Sequence, residues 1–150
     1  MSARRLLAIY PFLPYPPNFG GRIRCYHLLD LLRKHFQVEL AALTIPEDEP
    51  AQVKALGNKV ERIFALPSPA KACLSRRQKM RNVLCAVPWE LPLRSQQLER
   101  LVCEKSAAAD VMFLYSARLC HLRHFSRSQV HVVDLDDLPH VTLYRRIKRM

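Results

Sequence analysis

The sequence predicts an α/β domain with a doubly wound, mostly parallel sheet of about five strands. Three observations lead there. Short apolar runs recur at 6–10, 38–43, 60–66, 110–115 and 129–135. Segments with helical spacing alternate with them, which is the pattern of a parallel sheet built through crossovers. The runs at 38–43 and 110–115 are nearly continuous rather than alternating, as in strands covered on both faces. Right-handed crossovers then give a Rossmann-like layout, with 3-2-1-4-5 as the expected strand order. Its switch point lies between strands one and four, where open α/β sheets bind ligands. The length, 150 residues, fits one domain with a real core.

Strand one, Leu6–Tyr10, runs into a proline-rich loop that ends at Gly20-Gly21. Helix one is expected over Arg22–Phe36, with Ile23, Tyr26, Leu29 and Leu32 on one face. Strand two is Val38–Leu43. The acidic loop 46–50 follows, then a short helix near Ala51–Leu56 that Gly57-Asn58 stops. Val60–Leu66 reads as strand three. Pro67-Ser68-Pro69 opens a helix-like basic segment, with Lys71, Arg76, Arg77, Lys79 and Arg81, which Pro88 closes. Pro92 suits the first turn of a helix over Leu93–Ala107, with Leu98, Leu101 and Val102 as its apolar face. Strand four is Asp110–Tyr115, and a short helix spans Arg118–Phe125. Strand five is Gln129–Leu135, and a last helix starts near Pro139.

The composition, 49% apolar and 25% charged, is that of a globular protein and excludes disorder over the whole chain. Net charge is +11, with a pI of about 9.9. Residues 51–100 carry ten cations against three acids. Such an excess raises nucleic acid, anionic lipid or phosphorylated substrates as partners, beside the plainer reading of a solvated basic face. Cys25, Cys73, Cys85, Cys103 and Cys120 are odd in number and form no C-x-x-C pair, which fits free thiols in a reducing cytoplasm. Cys120-His121-x-x-His124 lacks a further ligand at zinc spacing, so no metal site is expected. Arg4-Arg5 before an apolar run imitates a signal peptide, but Pro11 and Pro14 break that run and no cleavage pattern follows. No apolar stretch approaches the ~20 residues of a membrane span.

Three loops can carry chemistry. The first holds Gly20, Gly21, Arg22 and Arg24 at a strand-to-helix turn. Glycine allows a sharp turn and close approach of a ligand, and the helix start offers N–H donors to a phosphate. The loop lacks G-x-G-x-x-G and a Walker lysine, so a tight turn with surface arginines is the competing reading. The second begins Tyr115-Ser116-Ala117-Arg118. Its hydroxyls can bind a polar ligand, or Ser116 can cap the next helix. The third is Asp134-Leu135-Asp136-Asp137. Its carboxylates can accept from sugar hydroxyls, pair with Arg22 or Arg24 across the cleft, or cap the last helix. His27, His131 and His140 assemble no triad with these groups.

Tyr15-Pro16-Pro17, Gly20-Gly21, Arg22-x-Arg24 and His27-Leu28-Leu29-x-Leu31 together resemble the opening of the N-terminal domain of glycosyltransferase family 4, of GT-B fold. Val132-Val133-Asp134-Leu135-Asp136-Asp137 resembles the strand-five end of the same family, in its branch associated with exopolysaccharide and exosortase (PEP-CTERM) gene clusters. The resemblance implies one half of a retaining, metal-independent sugar transferase, residues 1–150 being the acceptor-side domain. Gly20-Gly21 would approach the donor diphosphate and transferred sugar. Arg22 and Arg24 would bind phosphate or acidic sugar. Tyr115, Ser116, Asp134, Asp136 and Asp137 would complete the substrate side. The implied partners are a nucleotide-sugar donor and a saccharide or lipid-linked acceptor, with no cofactor or metal. A second copy or a separate C-terminal domain, and peripheral contact with an anionic membrane from the cytoplasmic side, complete the expectation.

The chain departs from the family where it ends, since the donor-binding domain and its E-x7-E motif do not follow Met150. Glu39 and Glu47 have that spacing by chance, one in a strand and one in an acidic loop. Tyr115-Ser116 stand where many relatives carry a catalytic histidine or acid, so no catalytic residue is assigned. The half-enzyme alone is expected to be inactive. The alternative from charge alone is a basic anion-binding module for nucleic acid or anionic lipid, centred on residues 71–81.

Overall fold

A computed structural model describes residues 4–45, 50–69 and 93–135. The acidic loop 46–49, the basic segment 71–81, Pro92, Asp136, Asp137 and the helix expected from Pro139 lie outside the described residues. The elements are β1 (Arg4–Tyr10), α1 (Gly20–Leu32), β2 (Phe36–Thr44), α2 (Pro50–Gly57), β3 (Arg62–Pro67), α3 (Gln96–Lys105), β4 (Val111–Tyr115) and β5 (Val130–Asp134). Short 3₁₀ segments at Ser106–Ala108 and Ala117–Phe125 flank β4. The five strands form one sheet in the order β3-β2-β1-β4-β5, parallel throughout. This is the expected α/β, Rossmann-like fold.

Each sheet face has its own core because side chains alternate along a strand. On the first face Leu6, Ala8, Tyr10, Leu40, Phe113 and Tyr115 meet Cys25 and Leu29 of α1 and Leu56 of α2. On the second, Leu7, Ile9, Leu43, Met112 and Leu114 meet Leu98 and Val102 of α3, with Leu119 and Leu122 of the 3₁₀ segment. Tyr10, Ile9, Leu40 and Leu114 are 0% exposed. Burying an aliphatic side chain such as Ile9, Leu40 or Leu114 stabilises the fold by about 1.5–3 kcal/mol, so the apolar runs of the central strands are what hold the sheet between its layers. At β5 the cover thins, and Val130 and Val132 are half exposed.

Two helices differ from expectation. α1 begins two residues earlier, at Gly20, and buries Arg22, Cys25 and Leu29, whereas Ile23 is 42% exposed. The buried stripe is therefore offset by one residue from the expected one. The aliphatic stem of an arginine packs like a hydrophobe, which a polar count of Arg22 misses. α3 is shorter than 93–107. Ser95 caps it, its hydroxyl accepting from the Leu98 N–H at 3.4 Å. That hydrogen bond satisfies one of the free donors of the first turn.

Candidate functional site

The carboxyl ends of β1, β4 and β5 place three polar-tipped side chains in one row. Tyr115 is in register with Asp134, and Leu114 with Ile9, so Tyr10 follows beside Tyr115. All three therefore point to the face that α1 covers. Tyr10 and Tyr115 pack edge to face, with ring centroids 5.6 Å apart. Phe12 continues the aromatic cluster, 6.0 Å from Tyr115 and 5.4 Å from Phe19.

Arg24 closes the row from above. One of its terminal nitrogens, Nη2, lies 2.9 Å from Asp134 Oδ1 and 2.8 Å from Oδ2. The arginine is 50% exposed and the aspartate 14%. Of the two pairings expected across the cleft, the one between Arg24 and Asp134 is formed. Arg22 turns inward, is 5% exposed, and sets its guanidinium 5.3 Å from the centre of the Phe19 ring. The different fates follow from helical rotation, since residues two apart on a helix face different ways.

Gly20 and Gly21 form the first residues of α1 without a positive φ. A Cβ on Gly20 would meet nothing within 4 Å. A Cβ on Gly21 would lie 3.1 Å from Phe19 Cε2 and 3.2 Å from Phe12 Cζ. The second glycine thus lets two phenyl rings close over the helix start. Phe19, at the N-cap position, supplies no side-chain acceptor, and the first turn has no acid. That leaves the positive end of the helix without a carboxylate of its own.

The backbone conformation that favours glycine occurs instead at Ser116, with φ 113° and ψ 139°. Such a conformation costs a residue with a Cβ about 1–3 kcal/mol. The Ser116 hydroxyl accepts from the Arg118 N–H at 3.2 Å, the expected cap, and its own N–H donates to the Asp134 carbonyl at 3.0 Å. The strained turn after β4 is thereby tied to the end of β5.

Tyr10 was not among the residues singled out from sequence. It is 0% exposed, and among the described residues its hydroxyl has no hydrogen-bond partner. Burial pushes the phenol above its usual pKa, and Cys25, Tyr115 and Asp134 add to the effect. It is therefore a neutral donor at any physiological pH. The one signal in the sequence is a tyrosine closing an otherwise aliphatic strand.

The remaining candidates sit elsewhere. His121 bridges the second face: its Nδ1 lies 3.2 Å from the Arg118 carbonyl and its Nε2 3.7 Å from Glu99 Oε1. Burial lowers its pKa. Among the described residues no three His, Cys, Asp or Glu side chains converge to hold a metal ion. Cys25, Cys103 and Cys120 are thiols rather than disulfide halves. An open depression of about 460 Å³ lies at the opposite, amino edge of the sheet, lined by Arg33, Lys34, Asn58, Lys59 and Glu61 among others. Among the described residues no helix is long and apolar enough to cross a membrane.

No family model matches the sequence, and no curated protein does. Two crystal structures of the C-terminal domain of a hydrogenase from Pyrococcus furiosus are similar in fold. The first aligns with a TM-score of 0.54 and 18% identity, covering 90% of this chain and 94% of that one. The second has a TM-score of 0.52 and 15% identity, covering 89% and 92%. At these identities the likeness is one of fold, and it bears out the Rossmann-like class.

Proposed function

We propose that this chain is the acceptor-side domain of a two-domain sugar transferase of the GT-B type. It would bind a saccharide or lipid-linked acceptor, while a second domain brings the nucleotide sugar. The observation that supports this most is the meeting of Arg24 with Asp134 across 110 residues of sequence. These residues belong to the two stretches that carry the family resemblance. The meeting falls at the carboxyl edge of the sheet, where α/β folds bind ligands. In such an enzyme the chain contributes orientation and preorganised donors at one wall of the cleft, and the diphosphate leaving group is stabilised in the closed assembly.

The test is an NMR titration of the chain with a short-chain prenyl diphosphate disaccharide. Shifts at Gly20, Gly21, Arg24 and Ser116, without turnover of any nucleotide sugar, are expected. Shifts confined to the amino edge, or none at millimolar ligand, would overturn the proposal. So would sugar transfer by this chain alone.

A further inference from the structure

On the second face of the sheet a histidine and a glutamate meet as two acceptors. His121 belongs to the 3₁₀ segment after β4, and its side chain is 13% exposed. Glu99 stands in the first turn of α3, and its side chain is 20% exposed. His121 Nδ1 lies 3.2 Å from the Arg118 carbonyl. A carbonyl only accepts, so the ring proton sits on Nδ1, and a neutral ring leaves Nε2 bare. Nε2 is buried, has no hydrogen-bond partner among the described residues, and lies 3.7 Å from Glu99 Oε1. Two facing acceptors do not bond. One proton on Nε2 turns the gap into a charge-assisted hydrogen bond, whose usual length is about 2.8 Å.

The surroundings decide when that proton enters. Burial holds the His121 pKa below its ordinary value, against the Arg118 carbonyl and the Glu99 charge, while Arg94 ahead of α3 and His124 on the same segment also oppose a cation. β4 turns Met112 and Leu114 to this face, and neither carries charge. β5 turns His131 to it, whose Nε2 lies 2.9 Å from the Ser126 hydroxyl at the far end of the segment. The ring is therefore neutral at neutral pH and charges below the ordinary imidazole range. Arg118 ties this titration to the carboxyl edge of the sheet. Its carbonyl also accepts from the Leu93 N–H at 3.0 Å, and its N–H donates to the hydroxyl of the strained Ser116 at 3.2 Å.

We propose that His121 and Glu99 form a proton-operated clasp between α3 and the segment after β4. A proton taken from solvent goes onto Nε2, which then donates to the Glu99 carboxylate. The first turn of α3 is thereby drawn onto the segment that follows the Ser116 turn. Only hydrogen bonds and this one proton change hands. The clasp stands on these contacts and not on the sugar-transferase reading. Its closure and the global stability run in opposite directions. A histidine whose pKa folding lowers contributes stability that is complete above its unfolded value, about 6.5, and is lost as pH falls through the folded one. Glu99 limits that loss by holding the charge once it forms.

The experiment is an NMR titration of the chain from about pH 8 to about pH 4, read at the imidazole nitrogens and the backbone amides. At the alkaline end the His121 ring is expected to carry its proton on Nδ1 alone. As the pH falls, its nitrogens titrate below the ordinary imidazole range, and the amides of Leu93, Glu99 and Arg118 shift with the same midpoint. Glu99→Gln lowers that midpoint, because a neutral amide does not hold the cation. Arg94→Gln, at an exposed position, raises it and serves if Glu99→Gln fails to fold. A neutral ring with its proton on Nε2 would overturn the clasp. So would an unchanged midpoint in folded Glu99→Gln or in Arg94→Gln, or a His121 titration that leaves the Leu93 and Arg118 amides still.

Discussion

The two edges of the sheet use the same kinds of side chain to opposite ends. At the amino edge polar groups are closed on one another. Lys59 Nζ donates to Asp30 Oδ1 at 2.7 Å and Oδ2 at 2.8 Å, and lies 3.9 Å from the centre of the Tyr26 ring. Arg33 adds a third contact to Asp30 at 3.1 Å. Asp110 accepts from the Arg5 N–H at 2.8 Å. Ser106, 0% exposed, accepts from the Arg127 N–H, and its carbonyl accepts from the Ser128 hydroxyl. At the carboxyl edge one phenol has no partner among the described residues, one serine is strained, and the arginine of the ion pair is half exposed. Polar groups that satisfy each other contribute to stability. Those that do not lower it, and their persistence at one edge is a physical reason to place function there.

Paired substitutions break this comparison most directly. Ser106→Ala removes the acceptor of the Arg127 N–H and should lower stability by about 1–2 kcal/mol. Tyr10→Phe removes a buried hydroxyl that has no partner and should raise it by about 1 kcal/mol. Urea unfolding of the two variants measures both. A loss at Tyr10→Phe equal to that at Ser106→Ala would mean that the phenol is structurally bonded, and the contrast between the edges would fail.

The backbone gives a smaller effect of the same sign. Ser116→Gly relieves the strain at φ 113° but gives up the cap on the Arg118 N–H and adds chain entropy. A net gain of about 0.5–1 kcal/mol is expected, because strain of about 1–3 kcal/mol exceeds the sum of a few tenths for losing the cap to glycine and about 0.5–1 kcal/mol of chain entropy. Ser116→Ala keeps the strain, loses the cap, and should destabilise by about 0.5–1 kcal/mol. Equal melting temperatures for the two variants would show that the turn stores no strain.

How much of this was legible in the sequence follows from which forces act locally. β1, β2 and β4 were legible because burial on both faces demands unbroken apolar runs; β3 and β5, less covered, were legible as short apolar stretches between helical segments, and the order followed from crossover handedness. The Arg24–Asp134 pairing was legible as one of two choices, and the choice depended on the exact phase of α1. That phase was misplaced by one residue because Arg22 packs its stem against the core, with its guanidinium over Phe19. The strain at Ser116 left no trace, since a positive φ is normally announced by glycine or asparagine. Tyr10 read as one more core residue. Whether a buried hydroxyl finds a partner depends on side chains from three other elements, and no local pattern encodes that.

The smallest expected effect concerns the closed edge. The hydrogen bond from Lys59 holds the Asp30 carboxyl below its ordinary pKa, against the opposing effect of burial, with the Lys59, Arg33 and His27 charges assisting. A carboxyl with a depressed folded-state pKa contributes stability that is complete above its unfolded value, about 3.9, and is lost as pH falls through the folded one. The Asp30–Lys59 pair is partly exposed, so its contribution is about 1 kcal/mol or less after solvent screening. Asp30→Asn should therefore cost a constant, small amount of stability near neutral pH. That difference from wild type should shrink once the pH drops below about 4. Urea midpoints measured from pH 7 down to pH 2.5 test it. A difference that stays constant through the acid range would show that Asp30 acts through packing rather than charge. The amino edge would then owe its closure to shape, and the electrostatic contrast with Arg24 and Asp134 would narrow to the unpaired phenol and the strained serine.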